Sequence, residues 1–151
     1  MRSTFFSLSI AFVVALMAGC NSSTGTNSNG NFSADLNGTQ WLPQSTVYGV
    51  YDSVVNKIWI NATNSKGASM WVFIDSTEFA PGNYNSFGGY ADSNVYGSYY
   101  WSSGQLSLSA VSKTHATGTF YFTARLYNRT DSVNITNGEF NVAIYPGRIP
   151  N

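Results

Sequence analysis

TGTFYFTARL, residues 117–126, decides how this chain folds. Apolar and polar side chains alternate with a period of two, the repeat that sends every second residue to the same side of a β-strand. Phe120, Phe122, Ala124 and Leu126 therefore share an inward face, and Tyr121, Thr123 and Arg125 the outward one. Just upstream, LSLSAV (residues 106–111) alternates in the same way, and the intervening SKTHA has room only for a turn. The spacing predicts two adjacent antiparallel strands.

The same reading extends in both directions. FSADL and TQWLP flank Asn37-Gly38, the strongest short hairpin signal. A two-residue turn sets Leu36 opposite Thr39 and Ala34 opposite Trp41, with Phe32, Ala34, Leu36 and Trp41 on one face. Residues 57–63 place Ile58, Ile60 and Ala62 on one side, and residues 68–75 return across Asn64-Ser65-Lys66-Gly67. With Thr63 opposite Ala68, Ile60 meets Trp71 and Ile58 meets Phe73 in the interior, while Met70, Val72 and Ile74 fill the other side of a central strand. A second Asn-Gly pair, Asn137-Gly138, is expected to join SVNIT to EFNVAIY as a hairpin, with Ile135 opposite Phe140 and Val133 opposite Val142. No run with helical periodicity follows residue 20. The expected fold is all-β: a single antiparallel β-sandwich or flattened β-barrel of nine or ten strands.

The start of the chain breaks this pattern. Arg2 precedes an apolar run at residues 5–17, and Ala18-Gly19-Cys20 closes it. A short cationic and hydrophobic lead ending in small residues is the layout of a secretory signal peptide. The run is too short for a membrane-spanning helix, which needs about 20 residues. Cys20, the one cysteine of the chain, sits where cleavage would fall. That placement resembles the lipobox of bacterial lipoproteins, which implies a thioether-linked diacylglycerol and an amide-linked acyl chain such as palmitate on Cys20. Two or more chains anchor firmly where a single one binds only marginally. The alternative is plain secretion with a free thiol.

Residues 21–31, NSSTGTNSNGN, carry neither an apolar side chain nor a charge and are expected to form a flexible tether. A chain of that length and type has a mean reach of roughly 17–20 Å. The expected organisation is a signal peptide at 1–19, lipidated cysteine and tether at 20–31, an all-β domain at 32–147 and a tail at 148–151. Asn21 replaces the aspartate that retains enterobacterial lipoproteins at the inner membrane, so the analogy points to the outer membrane.

Composition removes whole classes of function. Seven Lys and Arg balance seven Asp and Glu, and charged residues make up 9% of the chain against the roughly 25% usual in globular proteins. Without a basic face, nucleic acid is not an expected partner. A single histidine and a cysteine consumed by lipid cannot furnish the three or four ligands of a zinc site. Neither a metal nor a cofactor is expected. No GxSxG accompanies His115, which falls in the SKTHA turn as a solvated side chain. Asp75, Glu78 and Asp92 supply the one alternative, an envelope hydrolase with a carboxylate pair; ordinary turn chemistry explains the same residues. A non-catalytic module is the expectation.

One segment is unusually aromatic. Within YNSFGGYADSNVYGSYYW, residues 84–101, lie Tyr84, Phe87, Tyr90, Tyr96, Tyr99, Tyr100 and Trp101 among several glycines. Such rings offer a flat apolar face with a polar handle, suited to stacking on a glycan or anchoring an envelope protein. The structural alternative makes residues 95–101 one more strand whose aromatics cap the core, with Phe87 and Tyr90 covering the open end of the sheet.

Taken together, the lipobox, the polar tether, FSADLNGTQW, APGNY, GQLSLSAVS, GTFYFTARL and VNITNGEFNV resemble a family of small Bacteroidota lipoproteins of unknown function. The resemblance covers residues 32–145, with Asn83 standing where the family usually has threonine. It implies a β fold and an envelope address, and transfers no activity, cofactor or site residue. Asp52-Ser53-Val54, Asp75-Ser76-Thr77 and Asp131-Ser132-Val133 are also similar to the Asp-Ser/Thr-apolar signal for O-glycosylation in that phylum, which implies Ser53, Ser76 and Ser132 as acceptors. Asp-Ser is equally common in turns.

Overall fold

The Asn37-Gly38 turn forms as its chemistry dictates. Both residues take positive φ, 50° and 78°, the type I′ geometry whose twist matches a pair of antiparallel strands. It joins β1 (Gly30–Leu36) to β2 (Thr39–Trp41), with Leu36 opposite Thr39 and Ala34 opposite Trp41. Phe32, Ala34 and Trp41 are buried. The other strands are β3 (Thr46–Asp52), β4 (Lys57–Thr63), β5 (Ser69–Asp75), β6 (Gly82–Tyr84), β7 (Phe87–Ala91), β8 (Ser98–Val111), β9 (His115–Leu126) and β10 (Ser132–Pro146). This computed structural model describes residues 30–44, 46–75, 79–85, 87–92, 98–126 and 130–149. The expected signal peptide, Cys20 and most of the tether, together with Ser76, Glu78 and Tyr96, lie outside the described residues.

Hydrogen bonding runs from β10 through β3, β4, β5, β7, β8 and β9 and back to β10, so the ladder closes like a ring. The ring is not a uniform barrel, because its two longest strands divide an edge between partners. β10 gives that edge first to β1 and then to β3, and β8 gives it to β7 and then to β6. Every ladder is antiparallel except β10–β3, where Ile144 lies beside Gly49 and Pro146 beside Tyr51 in parallel. β2 and β3 run in the same direction, with buried Pro43 in the link between them, so β3 can only meet the vacant end of β10 head to head.

β9 alternates as its sequence requires: Phe120, Phe122, Ala124 and Leu126 are buried, while Tyr121 and Arg125 are exposed. Two expectations of register are overturned.

Between β4 and β5, Thr63 lies opposite Ser69 rather than Ala68, so Ile60 pairs with Val72 and Ile58 with Ile74. Gly67 donates its N–H to the Asn64 carbonyl at 3.1 Å and takes φ 80°. The Asn64 carboxamide oxygen accepts the N–H groups of both Lys66 and Ala68, at 2.9 and 3.0 Å. Ala68 is thereby drawn into the turn. A shift of one residue moves every side chain of a strand to its opposite face. Met70, Val72 and Ile74 are therefore in the core, and Trp71 and Phe73 point outward.

Asn137-Gly138 makes no hairpin. β10 runs straight through it, and the register slips between Ile135 and Gly138 against β9 and between Ser33 and Asp35 against β1. Asn137 takes φ 50° and Gly138 has no positive φ, whereas a type I′ turn needs both. The result is a β-bulge, which inserts one residue and inverts the alternation. Val133 and Ile135 before it, and Phe140, Val142 and Ile144 after it, all reach the core. Ile135 faces Phe122 and Phe140 faces Gly118, so the expected Ile135–Phe140 and Val133–Val142 pairs do not exist.

Phe120 is the hub of this interior, with ring centroids 5.3 Å from Phe32, 5.8 Å from Phe122 and 6.2 Å from Phe140. A Cβ on Gly138 would collide with its ring. Phe120→Ala should cost about 3–5 kcal/mol through lost transfer energy and the cavity left behind. That is a large part of the roughly 5–15 kcal/mol of a typical domain. Urea unfolding should show a lower midpoint at unchanged slope.

Candidate functional site

The inverted register of β5 creates a feature that the sequence reading placed indoors. Trp71 and Phe73 emerge on the same outer side as Trp59 of β4 and Tyr48 of β3. Trp59 and Phe73 occupy paired positions, with rings 6.4 Å apart and inclined by 17°. Tyr48 meets Trp59 edge-on at 5.5 Å. One row along, Trp71 lies opposite Gly89 of β7, and Gly89 lies opposite Tyr100 of β8. Because Gly89 has no side chain, the indole of Trp71 rests over its backbone; a Cβ there would collide with Cζ2. Tyr100 closes on Trp71 from the far side at 6.5 Å, inclined by 74°. Tyr48, Trp59, Phe73, Trp71 and Tyr100 thus form one continuous aromatic face on rigid strands. Tyr100 is 58% exposed and the other four are half-buried.

Two shallow grooves of about 470 and 560 Å³ share Trp71, Phe73 and Tyr100 as the ridge between them. The first is bounded by Trp101 and by the Lys57–Asp75 ion pair at 3.1 Å. The second is bounded by Tyr48, Trp59, Asn61, Thr63, Ser69 and Ile149. Asn61 donates to the Thr63 hydroxyl, which in turn lies 3.0 Å from that of Ser69. The polar rim is made of amides and hydroxyls, and the two charged groups neutralise one another. Burial pushes the Tyr48 phenol above its ordinary value, so its O–H stays protonated.

Ile149 borders the second groove, and Asp52 holds residues 148 and 149 in place. This carboxylate is 3% exposed. It accepts the N–H of Val54 at 2.9 Å and of Ile149 at 3.1 Å, with the Arg148 guanidinium at 3.5 Å. The Gly147 N–H binds the Tyr51 carbonyl. The Val54 N–H first, then the Ile149 N–H and the Arg148 charge, hold the Asp52 carboxyl below its usual range against the opposing effect of desolvation. Residues 148 and 149, expected as a tail, are in fact a strap.

The aromatic segment 84–101 is split between core and surface. Tyr90 and Tyr99 are 4% and 8% exposed, side by side on β7 and β8 with rings 6.1 Å apart. The Tyr90 hydroxyl donates to Asp92 at 3.3 Å, and desolvation, then the charge of Asp92, pushes its pKa up to about 12. Tyr84 is half-buried and donates to the Ala80 carbonyl. Phe87 lies in β7. Among the members whose side chains are described, only Tyr100 and Trp101 reach these grooves. Of the expected site, Tyr100 joins the aromatic face and Trp101 borders the first groove.

Asp75 and Asp92, the two described acids of the expected carboxylate site, do not come together. Asp75 ends β5, whereas Asp92 follows Ala91, the partner of Ser69 at the other end of that strand. Seven residues of strand separate the two by roughly 20 Å, beyond the roughly 5–9.5 Å of a glycosidase pair. His115 is exposed at the start of β9, with Nε2 3.0 Å from the Thr117 hydroxyl. Among the described residues no group of three His, Cys, Asp or Glu side chains could hold a metal ion. Ser53 is exposed in the β3–β4 turn and Ser132 is exposed at the start of β10.

Fold and site define a class, an all-β module with a ring-closed sheet and an aromatic, neutral outer face. No family model, no curated protein and no solved structure matches the chain.

Asp52 gives this site a pH signature. Its folded pKa lies below the ordinary value of 3.8, so the stability it contributes is complete above that pH and lost as pH falls through the folded pKa. Asp52→Asn should flatten the acid limb of the stability curve, read as the thermal midpoint between pH 5 and pH 2.

Proposed function

We propose that the chain is a lipid-anchored, non-catalytic module of the bacterial envelope that holds a neutral glycan against the aromatic face of β3, β4, β5 and β8. Cys20 supplies the anchor at the outer membrane, in keeping with the lipobox-like start and the resemblance to small Bacteroidota lipoproteins. The observation that carries the binding role is the five-ring face built around Trp71 over Gly89. Apolar patches of this kind on a soluble surface mark interaction sites.

A glycan fits the chemistry better than a charged partner does. Its C–H faces stack on rings, and its hydroxyls match the amide and hydroxyl rim of Asn61, Thr63 and Ser69. The Lys57–Asp75 pair leaves no net charge to attract an anion or a cation. Strands fix the rings in advance, which lowers the ordering cost of binding.

Binding should be measured for the mature chain against neutral envelope and plant polysaccharides. Trp71→Ala should weaken capture by about 2 kcal/mol, roughly thirtyfold, as for a central aromatic anchor. Tyr99→Phe, a change in the core, should leave it unaltered. Equal binding by wild type and Trp71→Ala would reject the face as the site. The anchor has a separate readout: Cys20→Ser should move the protein out of the membrane fraction and abolish palmitate labelling.

A further inference from the structure

Among the described residues five large hydrophobic side chains are exposed: Val54 (66%), Val55 (52%), Tyr100, Tyr121 and Tyr145 (49%). Tyr100 belongs to the aromatic face. Val54, Val55 and Tyr145 gather at one end of the ring. The two valines form the tip of the β3–β4 turn, and Tyr145 pairs with Val50 just below it.

The fold does not need valines at that tip. Turn positions favour Gly, Asn, Asp and Ser, and β-branched side chains fit them poorly. Here the turn chemistry comes from Asp52, which accepts the Val54 N–H, and from Asn56, which takes φ 53°. Two adjacent apolar side chains are displayed where polar ones would serve the backbone better.

Cations flank them. Lys113 Nζ stands 5.0 Å over the Tyr51 ring, and the Arg148 side chain is 70% exposed. The described acids at this end are occupied: Asp52 is buried with Arg148 at 3.5 Å, a contact that leaves most of the guanidinium side chain in solvent, and Asp75 pairs with Lys57. The chain also enters here. Gly30, where β1 begins, pairs with Val142 of β10, and four residues further on Pro146 pairs with Tyr51. The opposite end displays Asn37, Gly38, Ser65, Lys66 and Gly67, all exposed and none of them apolar and large.

We infer that this end of the domain rests on an anionic phospholipid surface. Val54 and Val55 enter the headgroup–acyl boundary, Tyr145 sits at headgroup level, and Lys113 and Arg148 meet lipid phosphates. The inference rests on the anchor at Cys20, which delivers the same end to the bilayer through a short tether. Contacts too weak to recruit a free protein then act at high effective concentration and set its orientation. The aromatic face, on the flank of the ring, stays open to solvent.

The test uses the mature chain purified from membranes and reconstituted into vesicles of phosphatidylethanolamine and phosphatidylglycerol. An environment-sensitive fluorophore is placed at Ser53→Cys, beside the valines, or at Ser65→Cys on the opposite end. Lipids carrying a spin label near the headgroup should quench most of the emission at position 53 and none at position 65. Val54→Ser with Val55→Ser should abolish the quenching at 53 while the protein still sediments with the vesicles. Equal quenching at the two positions, or quenching at 53 that survives loss of both valines, overturns the inference. A chain that does not sediment at all overturns the anchor reading, and this one with it.

Discussion

The carboxamide of Asn64 sets the phase of β5, and most of what this surface can do depends on it. By accepting two backbone N–H groups it draws Ala68 into the turn and starts the return strand one residue late. One residue is the difference between two proteins. With β5 in its observed phase, three aliphatic side chains fill the core and two aromatic rings join a surface that Trp59 and Tyr48 already occupy. In the other phase those rings would be buried and no face would exist.

The fold was legible where a local signal had one meaning. β9 shows its alternation openly, and Asn37-Gly38 has a hairpin geometry that its neighbours accept. The same dipeptide at Asn137-Gly138 was not legible, since an asparagine at positive φ also makes a bulge. Which one forms is decided by β1 and β9 lying on either side of β10, and β1 comes from the other end of the domain's sequence. The parallel contact between β3 and β10 likewise depends on an edge left vacant beyond Val142, which no local pattern announces.

The site was less legible than the fold. The segment 84–101 draws attention by its aromatic density, but Tyr90 and Tyr99 belong to the core and, among its described side chains, only Tyr100 and Trp101 reach the grooves. Trp71 and Phe73 were visible as residues and invisible as a surface, because apolar side chains on both faces of a strand give no sign of which face is wet. Gly89 was the signal that could have exposed them. A glycine inside a strand often marks a close approach, and here the guest is an indole ring from the neighbouring strand.

Hydroxyl-radical footprinting of the wild-type protein tests this phase most directly. Methionine is among the readily oxidised side chains, and Met70 is fully buried beside half-exposed Trp71 and Phe73. The account predicts fast oxidation at Trp71 and Phe73, with Met70 and Tyr90 protected until the protein unfolds. Rapid oxidation of Met70 with protection of Trp71 and Phe73 would contradict it, and the aromatic face would go with it.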